Sequence, residues 1–156
     1  MVRRSNENRT QAIRALARLA RQLERSSGDL NLAHYRVLAA VADGDERASR
    51  VADRLALGKP TVSAAVESLT GRGLLSREDA ADDRRAATLA LTPAGEKALA
   101  EVERGMLERL DDLCSRTPDG EQVLESLARL GEALDEVAAE RLAARKAARR
   151  GGGKSG

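Results

Sequence analysis

The stretch VADRLALGKPTVSAAVESLTGRGLLSREDAADDRRAATLAL, residues 51–91, decides how the rest of the chain is read. Val51, Ala52 and Leu55 place apolar groups on one side of a short helix that runs into a tight turn at Leu57 and Gly58. A second helix follows, in which Val62, Val66 and Leu69 recur at spacings of four and three and therefore share one face. Gly71 and Gly73 punctuate its end. Two β-like runs, 74–78 and 87–91, are joined by a charged loop holding Asp82, Asp83, Arg84 and Arg85. Helix, turn, helix and a hairpin with a basic tip is the plan of a winged helix, which seats one helix in a DNA major groove.

The 156 residues around this stretch suit one compact domain with a helical extension. Apolar residues make up 42% of the chain, yet Tyr35 is its only aromatic, so burial depends on Leu, Val and Ala, the vocabulary of packed helices. Charged residues reach 33% with both signs interspersed, and the net charge is only +2. That balance excludes a histone-like polycation and leaves the placement of the arginines as the informative feature. A single cysteine, Cys114, allows no intramolecular disulfide and favours a reducing compartment, so a cytoplasmic location is expected. No apolar run approaches a membrane span or a signal-peptide core.

Upstream, residues from about 6 to 25 read as a helix with Ile13, Leu16, Ala17, Ala20 and Leu23 at helical spacing. Arg14, Arg18, Arg21 and Arg25 lie on its opposite face, an arrangement that ordinarily meets solvent. Asn31 suits the N-cap of a second helix carrying Tyr35, Leu38, Ala39 and Val41 on its apolar side. His34 near its start is the only histidine, and no partner cluster accompanies it, so a structural role is expected.

Downstream, Thr92 and Pro93 make a clean helix start, a capping hydroxyl followed by a proline at the first helical position. The stripe Leu99, Val102, Met106, Leu110, Leu113 follows, then a turn at Pro118, Asp119 and Gly120. The last helix shows Val123, Leu127, Leu130, Leu134 and Val137 at alternating spacings of four and three, a heptad seam that needs another helix. The expected fold is mainly α: a winged helix-turn-helix over 30–92 with a small β-hairpin wing. A helical dimerisation region is expected from 1–28 and 118–147, with the C-terminal part of the 93–116 helix, and 148–156 reads as a flexible basic, glycine-rich tail.

Four segments together closely resemble the MarR (multiple antibiotic resistance regulator) family of bacterial transcription factors. LNLAHYRVL at 30–38 looks like the helix that leads into that family's DNA-binding module. VADRLAL at 51–57 with KPTVS at 59–63 looks like its helix-turn-helix, and LTGRGLL at 69–75 like the exit into the wing. Asp83, Arg84 and Arg85 with Leu89, Leu91, Thr92, Pro93 and Gly95 match its Asp-x-Arg wing and the Leu-Thr-x-x-Gly beyond it. Two departures stand out. Asp45, Glu46 and Arg47 replace the usual apolar residue and small cap, which puts the short third strand of the sheet in doubt. Ala64 stands where many members carry a larger polar or basic residue. The resemblance implies a homodimeric regulator of double-stranded DNA, released by a small-molecule effector bound between the dimer helices and the DNA-binding module.

With Val62, Val66 and Leu69 turned inward, Pro60, Ser63, Ala64, Glu67 and Ser68 point outward, with Thr61 at the flank and Lys59 at the start. These outward groups are short and mostly uncharged, and none offers the bidentate pairing to guanine or adenine that Arg or Asn makes. Affinity is therefore expected from the wing, where Arg84 and Arg85 reach a minor groove. The resemblance gives Asp83 the role of holding Arg85. Arg36, Arg50, Arg54 and Arg72 join Lys59 as candidate phosphate contacts. Ile13, Leu16, Leu110, Leu113 and the seam residues are the candidate dimer contacts, and Arg14, Arg18, His34 and Tyr35 the candidate effector cleft.

An enzyme fits poorly: the chain has one His and one Cys, no nucleotide-binding glycine loop and no metal-ligand spacing, so no metal or cofactor is expected. Two other readings stay open at this stage. One is a cysteine-based redox regulator, although Cys114 next to Leu113 reads better as a buried small residue. The other is a winged helix used as an architectural or protein-interaction module.

Overall fold

A computed structural model describes residues 2–78 and 88–151. The wing tip, with Asp83, Arg84 and Arg85, lies outside the described residues. Among the described residues, six helices and a two-stranded sheet follow one another: α1 (Val2–Ser26), α2 (Leu32–Ala42), α3 (Ala48–Leu55), α4 (Lys59–Gly71), β1 (Leu75–Glu78), β2 (Thr88–Leu91), α5 (Pro93–Ser115) and α6 (Gly120–Gly151).

The caps are set by local chemistry. Asn31 is extended, and its side-chain carbonyl accepts from the His34 amide at 2.8 Å, which starts α2. Thr92 does the same for α5, accepting from the Gly95 amide at 3.0 Å while its hydroxyl donates to the Gly73 carbonyl at 2.6 Å. The turn between α3 and α4 is sharper than glycine placement suggests. It is Ala56, not Gly58, that takes the left-handed conformation (φ 50°), at a strain of about 1 kcal/mol. After α4, Gly73 adopts φ +69°, and the Leu74 amide reaches back to the Leu69 carbonyl at 2.9 Å.

β1 and β2 are antiparallel, pairing Leu75 with Leu91, Ser76 with Ala90, Arg77 with Leu89 and Glu78 with Thr88. Where a third strand was in doubt, one backbone bond remains: the Leu89 amide donates to the Glu46 carbonyl at 2.6 Å. Among the described residues the sheet is two-stranded.

The core lies in the middle of the chain. Val37, Leu38, Val51, Val62, Val66 and Leu69 are fully enclosed, and Leu75, Leu89, Leu99, Val102 and Met106 close it from the wing and from α5. α1 rests on α5, and α6 runs back from the 116–119 turn along α5 to reach α3. No described residue of α6 is buried. Both terminal helices are longer than the sequence pattern indicates: α1 begins at Val2 rather than near residue 6, and α6 continues to Gly151, past the expected start of the tail at 148. Periodicity marks only the turns that carry apolar groups, whereas good helix formers such as Ala and Arg extend the hydrogen-bond ladder beyond them. No described helix is long and apolar enough to cross a membrane.

Candidate nucleic-acid interface

α4 is fastened on one side and free on the other. Val62, Ala65, Val66 and Leu69 are buried, while Lys59, Pro60, Thr61, Ser63, Ala64, Glu67 and Ser68 are all exposed. The free face is the one the spacing indicates; only Ala65 on the buried side was not singled out. Pro60 occupies the first turn, so the absent amide costs no helical hydrogen bond. Lys59 and the free amides there make the N-terminal end electropositive, suited to a phosphate oxygen.

The four candidate phosphate arginines divide. Arg36 and Arg50 are exposed on α2 and α3. Arg72, just past α4, donates to the Asp29 carbonyl at 3.3 Å. Arg54 differs from the others in being engaged within the protein, by Asp43 at 2.8 Å, Asp45 at 3.4 Å and Asp135 at 3.7 Å. Burial alone would lower its pKa, but hydrogen bonding to Asp45 and the charges of Asp43, Asp45 and Asp135 hold it above the ordinary arginine value. A guanidinium already surrounded by three carboxylates is a clasp between α3, the α2–α3 loop and α6. Asp53 and Arg145 add a second link from α3 to α6. Neither link has a sequence signature, because the partners are separated by 81 and 92 residues (Arg54 to Asp135, and Asp53 to Arg145).

The candidate effector residues are not gathered into one cleft. Arg14 and Arg18 are exposed on α1, and the hollow beside Arg14 is lined only by Asn6, Glu7, Thr10 and Gln11 of the same helix. His34 and Tyr35 are half-buried on α2. Burial, then the nearby positive charge of Arg72, pushes the His34 pKa down, so its ring is neutral near pH 7, and its buried Nδ1 has no hydrogen-bond partner. Burial, then Glu103 and Asp43, pushes the Tyr35 phenol up. A cleft of about 370 Å³ does open nearby, where Ser27, Asp29 and Leu30 face Arg72 and the α5 residues Glu101 and Val102.

Of the candidate dimer contacts, Ile13, Leu16, Val123, Leu130, Leu134 and Val137 are all exposed, Ile13 at 68% and Leu134 at 64%. Leu110, Leu113 and Leu127 are half-buried. Cys114 is buried at the end of α5, where Gly120 packs so closely that a β-carbon there would overlap the Cys114 carbonyl.

Comparison with known proteins fits this geometry. Residues 28–86 match the family model described as the MarR family. No curated protein sequence matches the chain significantly. Among solved structures, the YusO protein from Bacillus subtilis is 22% identical with a TM-score of 0.63, covering 85% of this chain and 99% of that one. The transcriptional repressor CouR, solved bound to a 23-mer DNA duplex, is 24% identical with a TM-score of 0.68, over 79% of this chain and 89% of its own. Staphylococcus aureus MarR, solved with salicylate and kanamycin, is 18% identical with a TM-score of 0.69, over 83% of this chain and 91% of its own. The match over residues 28–86 thus places the helix-turn-helix among sequences similar to the MarR family, and the described helices share the fold of solved regulators of that family.

Proposed function

We propose that the chain is a transcriptional repressor that binds double-stranded DNA as a homodimer on a pseudo-palindromic operator. The observation that carries this reading is α4, anchored by Val62, Ala65, Val66 and Leu69, with an exposed opposite face on which the hydroxyls of Thr61, Ser63 and Ser68 stand beside Ala64 and Glu67. Such a face enters a major groove without steric conflict and takes orientation from Lys59, Arg36 and Arg50 on phosphates. In this reading the wing arginines Arg84 and Arg85, steadied by Asp83, take the adjacent minor groove.

One module makes too few contacts for useful specificity. The exposed apolar residues of α1 and α6 supply the second module, because Ile13, Leu16, Leu130, Leu134 and Val137 lose their water only against another copy. Two recognition helices then stand about one DNA turn apart. The cleft between Ser27, Arg72 and Glu101 is the place the protomer offers to a small polar effector. It borders both the module and α5, so an occupant there bears on their relative position.

The test is recovery of genomic fragments by the purified protein, followed by titration of an enriched duplex with the parent and with Ala64→Glu. A second carboxylate on the exposed α4 face, one turn before Glu67, costs about tenfold in affinity by repelling the DNA. Failure to enrich any duplex over bulk fragments, or equal binding by the variant, refutes the reading.

A further inference from the structure

The face of α6 that lies on the helix-turn-helix changes chemistry along its length. Asp135, Ala138, Ala139 and Leu142 border a hollow with Asp45, Arg50 and Arg54, and one turn later Arg145 pairs with Asp53. These positions recur every three to four residues and form one stripe. In the sequence the same stripe continues through positions 146 and 149, and both are cationic. From residue 141 onward the chain holds Arg141, Arg145, Lys146, Arg149, Arg150 and Lys154, with no Asp or Glu after Glu140. The helix itself runs on to Gly151, about 9 Å beyond Arg145 at the usual helical rise.

Among the described residues, the acids of the module nearest this stripe are already paired. Asp43 and Asp45 are occupied by Arg54, and Asp53 already holds Arg145. The anchor lies on α3, three residues before the Ala56 cap and six before Lys59, at the joint from which the recognition helix departs. A dense, acid-free run of cations pinned beside that joint calls for a polyanion lying alongside the module, and the polyanion of the proposed function is the DNA backbone. We infer that the C-terminal end of α6 is a second DNA-binding element. It grips phosphates from beside the helix-turn-helix without reading sequence, with Arg145 as the anchor and Lys146, Arg149 and Arg150 as the contacts. The inference rests on the DNA-binding reading above and adds to it an element that is tied to the module through Asp53.

The experiment compares the full chain with a Lys146→Ala, Arg149→Ala, Arg150→Ala variant, which keeps the Asp53–Arg145 link and favours helix at all three positions. Both are titrated over a range of salt on an enriched duplex and on a random-sequence duplex of about 30 base pairs. Removing one cation from a phosphate makes the slope of log affinity against log salt shallower by about 0.9 and weakens binding near 0.15 M salt by about fivefold. The weakening is expected to be the same on both duplexes, and Arg149→Lys with Arg150→Lys is expected to retain the parent's slope. If the parent binds and the alanine variant matches it in affinity and slope, this element is refuted while the DNA reading stands. A weakening confined to the enriched duplex with an unchanged slope refutes it equally, because that pattern belongs to base readout. If the parent itself binds neither duplex, both readings fall. Preserved DNA binding together with abolished binding to an acidic protein would reassign the run to a protein partner and overturn the inference.

Discussion

Replacing Gly95 with alanine tests the joint between wing and frame. A β-carbon at Gly95 falls 2.0 Å from the Leu74 carbonyl oxygen and 3.0 Å from its carbon, and both are backbone atoms that cannot rotate away. Restoring an ordinary carbon–oxygen separation moves the start of α5 from β1 by about 1.3 Å. That shift breaks the Thr92 amide bond to the Leu74 carbonyl, now 3.2 Å, and pulls the Thr92 hydroxyl from Gly73. Overpacking costs about 1–3 kcal/mol and a broken hydrogen bond about 1 more, so a total of about 2–4 kcal/mol is expected. For a chain of this size that is a drop in Tm of roughly 6–12 °C, measured by calorimetry or thermal circular dichroism. Gly71→Ala is the control: nothing lies within 4 Å of its β-carbon and its backbone is helical, so it should be neutral or slightly stabilising. A Gly95→Ala protein melting within about 1 °C of the parent would refute the close approach.

Leu130→Glu with Leu134→Glu should yield monomers by light scattering and abolish specific DNA binding, since both side chains are exposed on α6; an intact dimer would place the interface elsewhere. Arg54→Ala leaves Asp43, Asp45 and Asp135 facing one another, and because these groups are partly exposed the cost is held to about 1 kcal/mol. Hydrogen exchange in the second half of α6 should accelerate in that variant, and unchanged exchange would mean that the clasp does not hold α6 to α3. The His34 pKa is depressed below 6.5 in the folded chain, so the unfolded chain binds that proton more readily. Its contribution to stability is therefore present above about pH 6.5 and is lost as pH falls from there through the depressed folded value. His34→Gln should flatten the Tm profile across that window, and a parallel profile would show that His34 is not the group responsible.

The helix-turn-helix was legible in the sequence because its determinants are local. Val62, Val66 and Leu69 announce a face by spacing alone, and Asn31 and Thr92 announce their helices by the chemistry of one side chain. Arg54 shows where local reading ends. On the sequence it is one more exposed arginine of a helix-turn-helix, and only the return of α6 brings Asp135 to it. The effector residues show the same limit: Arg14 and Arg18 share a helix face, but what comes to that face is a tertiary fact, and in the structure both are exposed. The left-handed turn at Ala56 was hidden by Gly58 two residues on, which carries the expected signal for a conformation it does not adopt.

The position of the core in the chain has a consequence for the order in which the protein comes into being. Among the described residues, every buried apolar side chain apart from Cys114 lies between Leu30 and Met106. A ribosome has therefore delivered all the material of that core before the first residue of α6 is joined. On the dimer reading, the core can close while the α6 part of the seam is still inside the ribosomal exit tunnel, so nascent chains on one message present no finished seam to one another. On the same reading, assembly is left to released, fully synthesised protein, whose concentration then sets how many paired modules exist.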